Sequence, residues 1–245
     1  MPIVVVGAVH GSPGATSFAL DLSRQCGPDT LLIEADPDGG SLAARLDLAL
    51  KPGLMELAGA GRVGIEADDV WRFAQSTSFG LAVVVAHPAA EQTTSAIRAA
   101  MSHIVNAVGN LTCTVIVDVG RLRPGSPSLA AAASADHTLV ISDNSVEAIV
   151  ALTHRARVLQ GCRSPLVVMN ASRPYSVGDI ATSTGQRVWG VVPTSTYRRQ
   201  DRARTVALER LAIELCDIGR TEQIEFTERQ SSVIENRSTE LAANA

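Results

Sequence analysis

Ile3-Val-Val-Val-Gly7, then Ala8-Val-His10-Gly11-Ser12-Pro13-Gly14-Ala15-Thr16-Ser17, then Phe18-Ala-Leu-Asp-Leu-Ser23, reads as a strand, a glycine-bearing loop and a helix. This is the layout of a phosphate-binding loop. In such a loop the backbone N–H groups and the helix N-terminus cradle phosphates, a lysine reaches the β and γ oxygens, and the next Ser or Thr hydroxyl ligates Mg²⁺. Here the cradle and the Thr16 hydroxyl are present, but Ala15 stands where the lysine belongs. The chain contains one lysine, Lys51, and it lies outside the loop.

Outward from the loop, short apolar runs recur at Ile3 to Gly7, Thr30 to Glu34, Leu81 to Ala86, Thr114 to Asp118, Thr138 to Ser142, Leu166 to Met169 and Val188 to Val192. They are too short for helices, rich in Val and Ile, and lack polar alternation, which fits strands buried on both faces. Segments 16–25, 90–108, 145–160 and 202–217 are long enough to be crossover helices between them. The expected fold is therefore α/β: a doubly wound, mainly parallel seven-stranded sheet with helices on both faces. Between Asp36 and Leu81 an insertion carries helical pieces at 52–60 and 66–75, with Trp71 and Phe73 expected to serve as packing anchors. One domain is expected over 1–220, followed by a polar, flexible tail at 221–245.

The 245 residues are 46% hydrophobic and 19% charged, ordinary values for a globular chain with a full core. A net charge of -4 and a pI near 5.7 argue against a chain that coats nucleic acid through bulk charge, while a local basic patch stays compatible. Cys26, Cys113, Cys162 and Cys216 form no C-x-x-C pair, and the five histidines (10, 87, 103, 137 and 154) are dispersed, so neither zinc nor a disulfide framework is suggested. There is no basic leader and no apolar run of the roughly 20 residues that span a bilayer. A cytoplasmic location without stable membrane insertion is expected.

Three segments fall at the carboxyl ends of predicted strands, where open α/β sheets bind ligands. They are the loop, Leu31-Leu-Ile-Glu34-Ala-Asp36-Pro37-Asp38-Gly39-Gly40, and Val115-Ile-Val-Asp118-Val-Gly120. Carboxylates directly after apolar strands are costly to bury alone, so Glu34, Asp36 and Asp118 around one loop suggest a magnesium and water site. Each carboxylate could also simply cap a turn or helix.

In this order of motifs the chain resembles the MinD/ParA group of deviant Walker A ATPases, which are P-loop NTPases of the SIMIBI class. Their loop reads K-G-G-x-G-K-[ST]-[ST] and their second motif resembles D-x-D-P-Q-G. On that resemblance the nucleotide-binding positions are His10, Gly11, Ser12, Pro13, Gly14, Ala15, Thr16 and Ser17. His10 takes the signature lysine, Ala15 the second lysine, and Ser12 a glycine. Asp36 falls on the carboxylate that orients the attacking water, Glu34 on the preceding acid, and Asp118 on the Walker B aspartate that, with Thr16, holds Mg²⁺. Asn170 resembles the strand-end residue that reads adenine, and Pro193 belongs to the loop that covers the base. Within the group the chain looks most like the TadZ/CpaE-like proteins that position pilus-assembly machinery; His87-Pro88 followed by Glu91-Gln92 agrees with this.

The resemblance implies ATP or ADP with Mg²⁺ as cofactors, a homodimer across the loop face, and protein partners in a positioning, pilus or secretion system. The missing lysines act against it. Phosphoryl transfer relies on positioning and on stabilisation of developing charge, and His10 is short and mostly neutral at pH 7. A scaffold or positioning protein with weakened or lost ATP binding and hydrolysis is expected. Arg121 and Arg123 either supply substitute charge or are solvated surface residues. Two alternatives stand. One is a slow ATPase in chromosome or plasmid partitioning that holds DNA nonspecifically through Arg198, Arg199, Arg202 and Arg204, a cluster that also reads as an exposed helix start. The other is a dinucleotide-binding Rossmann oxidoreductase, imitated by Gly7, Gly11, Gly14 and Glu34 with G-x-x-x-G-x-x-G spacing.

Overall fold

β1 (Ile3–Ala8) is buried along its whole length, because it lies mid-sheet and pairs in parallel with β5 (Thr114–Arg121) on one side and β6 (His137–Ser142) on the other. The computed structural model describes residues 2–11, 14–162, 165–169, 175–194 and 202–215. Beyond β5 lie β2 (Thr30–Glu34), β4 (Ala82–Val84) and the two-residue β3 (Gln75–Ser76); beyond β6 lie β7 (Pro165–Met169) and β8 (Val188–Val191). The order is β3-β4-β2-β5-β1-β6-β7-β8. Seven strands are mutually parallel and coincide with the seven apolar runs. The eighth, β3, pairs antiparallel with β4 at the sheet edge, and its Gln-Ser sequence carries no apolar signal.

Alternation along β1 feeds two cores. Val4, Val6 and Ala8 pack on one face with Phe18 and Leu22 of α1 (Ala15–Cys26) and with Leu208 and Leu211 of α9 (202–215). Ile3 and Val5 pack on the other face with Ile97, Met101 and Ile104 of α4 (Ala90–Val108). That second face also receives α3 (Leu54–Gly61), α5 (Leu129–Ser134) and α8 (Val177–Thr184). Each fully buried Leu, Ile or Phe contributes about 1.5–3 kcal/mol. The two layers place the carboxyl ends of β1, β2 and β5 side by side.

Three local expectations are corrected. The helix expected over 145–160 is divided at Arg155 into α6 (Val146–His154) and α7 (Ala156–Leu159). The piece expected over 66–75 is a 3₁₀ helix, Ala67–Phe73. Phe73 packs on the core, whereas Trp71 is 37% exposed and is not part of it. A further short helix, α2 (Leu42–Leu46), follows the acidic segment after β2.

Candidate functional site

The loop leaves β1 at Ala8 and enters α1 through Gly14, whose left-handed backbone (φ 85, ψ 36) turns the chain into the helix. Gly14 has no side chain to cap this helix start, and the first N–H groups of a helix have no partner within it. Gly11 is also left-handed (φ 61), with open space around the position a Cβ would take. Two arginines from distant elements hold the loop carbonyls: Arg155 Nη1 donates to Val9 O, and Arg121 Nη2 donates to Gly11 O at 3.1 Å. A third, Arg45 of α2, donates from Nη2 to Ser17 Oγ at 3.0 Å. Ala15 is 8% exposed and packs into the α1-side core.

The acidic segment after β2 is built around Glu34, which is 1% exposed. Glu34 Oε1 accepts from the N–H groups of Ser41 (2.6 Å) and Leu42 (2.9 Å), and Oε2 from Ala86 N (3.0 Å). Burial still pushes its carboxyl up, against the pull of these backbone donors. Glu34 therefore ties the end of β2 to the start of α2 and to the chain after β4; it is a structural carboxylate, which corrects its expected place in a magnesium and water site. Gly39 and Gly40 permit the close approach this needs. A Cβ at Gly39 (φ 104) would lie 2.3 Å from Pro88 O, and one at Gly40 would lie 2.4 Å from Ala86 O and 2.6 Å from Glu34 Oε2. His87, which agreed with the TadZ/CpaE-like reading, works locally: its carbonyl accepts from Gly40 N (2.9 Å) and Thr93 Oγ1 (2.7 Å).

Asp36 is half-buried, and its Oδ1 accepts from Asp38 N at 2.9 Å. Burial raises its carboxyl above the ordinary range; the Asp38 N–H bond pulls it back, the Asp38 charge adds to the rise, and Arg121 and Arg123 oppose it. Asp38 is in turn paired with Arg123, whose Nη2 reaches Oδ2 at 2.6 Å. Asp118 sits in register with Glu34 on β2 and Val6 on β1 and is fully buried. Its Oδ1 accepts from Gly120 N at 3.1 Å, while Oδ2 has no partner among the described residues. Burial pushes Asp118 from 3.8 up to about 7, with the Thr16 hydroxyl and Gly120 N favouring the charged form.

Together these segments line a cleft of about 460 Å³ whose walls include Gly11, Gly14, Thr16, Asp36, Arg45 and Arg121. Ala15 and Ser17 also line it, whereas His10 is half-buried and does not. Pro193 lies elsewhere; its carbonyl accepts from Arg204 Nη1 at 2.8 Å. Ser12, Pro13, Asn170, Arg198, Arg199 and the tail at 221–245 lie outside the described residues. Arg202 is exposed. Arg204 is 6% exposed, with Nε 2.9 Å from Asp21 Oδ2 and its guanidinium 5.8 Å from the Phe18 ring centre. Its place in a DNA-contacting cluster is corrected, because the charge is spent inside the fold, joining α9 to α1. Arg45 and Arg155 escaped sequence reasoning altogether: neither lies in a motif, and only the fold brings them to the loop.

The donor set suits a magnesium ion carried with phosphates. Asp118 presents an unpartnered buried oxygen beside the Thr16 hydroxyl, and no cluster of three or more ligating residues occurs among the described residues. Mg²⁺ in phosphate sites keeps several waters and needs one or two protein groups.

No protein-family model and no curated protein matches the sequence. Solved structures do match. The Pyrococcus furiosus cell division ATPase MinD superposes with a TM-score of 0.70 at 15% identity, covering 89% of this chain and 99% of that one. The fold is that of the MinD and ParA ATPases. A ParA family ATPase from Chlorobium tepidum TLS gives a TM-score of 0.69 at 12% identity, over 87% of this chain and 91% of that one. The septum site-determining protein MinD of Pyrococcus horikoshii OT3, complexed with Mg-ADP, gives 0.64 at 14% identity, over 89% and 97%. These matches do not favour the Rossmann oxidoreductase. At such identities the likeness carries the MinD/ParA fold, and the chemistry has to be argued from the residues of this cleft.

Proposed function

We propose that this chain is a positioning or scaffold protein on the MinD/ParA fold, TadZ/CpaE-like in its use, whose deviant loop does not sustain fast ATP hydrolysis. The observation that carries this reading is Ala15, a buried methyl group at the head of α1 where the loop's chemistry calls for a lysine. The solved neighbours include a cell division ATPase and a septum site-determining protein, which supports a role in placing other proteins.

Mg-ATP, when bound, would supply the transferable phosphoryl group and a divalent cation to offset the charge on its oxygens. Around it, the chain offers the α1 N-terminus and loop amides for the phosphates, Thr16 and Asp118 for the metal, and Asp36 to hold water. It offers no lysine to neutralise charge that develops between those oxygens, a contribution worth at least the roughly 1.5–3 kcal/mol of a charged hydrogen bond. His10, outside the cleft lining, does not replace the lysine that would reach a partner's phosphates across a homodimer. Protein contacts then perform the function. The partitioning alternative loses support from Arg204, which pairs with Asp21.

The test is calorimetric titration with ATP and Mg²⁺ together with phosphate release by the wild type and by Asp36→Ala. Release at the buffer rate in both is expected. Turnover in the wild type that disappears in Asp36→Ala overturns the reading.

A further inference from the structure

The cleft lacks loop lysines but not cations. Arg45 arrives from α2, a helix outside the loop, and Arg121 from the end of β5. Both line the cleft together with Gly11, Gly14, Thr16 and Ser17. Neither forms an ion pair among the described residues, in contrast to Arg123 with Asp38 and Arg204 with Asp21. Arg45 is exposed and spends one N–H on the Ser17 hydroxyl. Arg121 spends one on the Gly11 carbonyl, and its Nε is buried without an acceptor among the described residues. Two guanidiniums without a salt bridge, one of them acting on the Asp36 carboxylate from a distance, thus flank the glycine-headed helix start, while Asp118 keeps an oxygen unpartnered among the described residues beside Thr16.

We infer that Arg45 and Arg121 take over the cation role of the missing lysines, so that the cleft still binds the polyphosphate of a nucleoside di- or triphosphate with Mg²⁺. Resting on the reading of this cleft as the phosphate site, the inference separates binding from hydrolysis. Guanidinium groups bind phosphate oxygens through paired N–H donors, and these two come from different elements, Arg45 at Ser17 and Arg121 at Gly11. Held by Ser17 and Gly11 at its edges, the pair grips ground-state oxygens. Neither occupies the position of residue 15, from which a side chain follows the transferring phosphoryl group. The cleft is therefore a binding module whose occupant the chain retains without cleaving.

The experiment titrates the full chain with Mg-ATP, Mg-ADP, AMP and inorganic pyrophosphate, by calorimetry and by thermal shift. It compares the wild type with Arg45→Ala, Arg121→Ala and the charge-retaining Arg45→Lys and Arg121→Lys. Expected are binding of ATP and ADP, a loss of affinity of about tenfold to a hundredfold in each alanine variant, partial rescue by lysine, and AMP weak and insensitive to both. Pyrophosphate binding with the same arginine dependence supports the polyphosphate as the group recognised. ATP affinity unchanged in both alanine variants, or no binding of any polyphosphate by the wild type, overturns the inference. Phosphate release is read separately: arginine-dependent binding with Asp36-dependent turnover upholds the inference and overturns the scaffold reading, while absence of both binding and turnover does the reverse.

Discussion

The carboxylate of Asp36 rests on the Cα of Gly120. A Cβ at position 120 would lie 2.0 Å from Asp36 Cγ, and Gly120 is itself left-handed at φ 57. The candidate water-holding acid is therefore placed by a glycine two residues beyond Asp118 on the adjacent strand. Gly120→Ala costs about 1–2 kcal/mol in backbone conformation and forces the Asp36 side chain out of its seat. In a double-mutant cycle with Asp36→Ala, followed by denaturant unfolding, the two substitutions are expected to couple favourably, because removing the carboxylate relieves the contact. Strict additivity contradicts this placement.

Glu34 is expected to matter for stability more than either aspartate. Glu34→Ala leaves the buried N–H groups of Leu42 and Ala86 without acceptors and is expected to cost about 2–6 kcal/mol at roughly 1–3 kcal/mol per group. Glu34→Gln keeps one acceptor but turns an amide NH₂ toward N–H donors, and should recover only part of the loss. Urea midpoints of the three proteins check this order.

Stability should depend on pH through Asp118. Its folded carboxyl titrates near 7 and its ordinary value is 3.8, so between these limits the folded chain holds a proton that the unfolded chain has released. Unfolding free energy then falls as pH rises from about 4 to about 7 and levels off above. Glu34 and Asp36, both raised, slope the same way. Asp118→Asn should flatten much of this fall in unfolding curves measured at successive pH values; an unchanged slope rules out Asp118 as its source.

Arg204→Ala is expected to destabilise the chain by about 2–4 kcal/mol, since it removes one member of a largely buried pair and empties the contact with Pro193 O. Asp21→Asn, which keeps an acceptor, should cost less. Thermal melts of both variants measure this. Equal stability of Arg204→Ala and the wild type would return Arg204 to the surface.

Ala15→Lys restores a cation at the helix start. At least tenfold tighter Mg-ATP binding is expected, the gain of one charged hydrogen bond of about 1.5 kcal/mol or more, read by calorimetry. Unchanged affinity would show that position 15 does not address the phosphates.

The seven parallel strands were legible because both-face burial writes itself as uninterrupted Val and Ile. The expected spans for α1 and α4 likewise lie within two residues of those observed, and α9 is helical over the described part of its expected span. β3 was not legible: two polar residues at an edge owe their strand state to β4 alone. The acids after β2 and β5 were visible as a cluster, yet their division of labour was not, because it depends on which backbone N–H groups a distant segment presents. Ala86, fifty-two residues from Glu34, decides it. Arg45 and Arg155 had no motif at all, since their meeting with the loop is purely tertiary. Arg204 misled for the opposite reason, since a run of arginines reads as a surface whichever of its members turns inward.

Selection for a folded chain alone would keep Glu34, Gly39 and Gly40, because each answers to the carbonyls and amides of residues 86–88 rather than to a ligand. These three positions therefore report on how the chain is closed around residues 86–88, and carry no information about catalysis. No such structural demand fixes lysine at positions 10 and 15. Those two positions, and not the acids, are where this loop departs from the chemistry of a phosphate-binding loop.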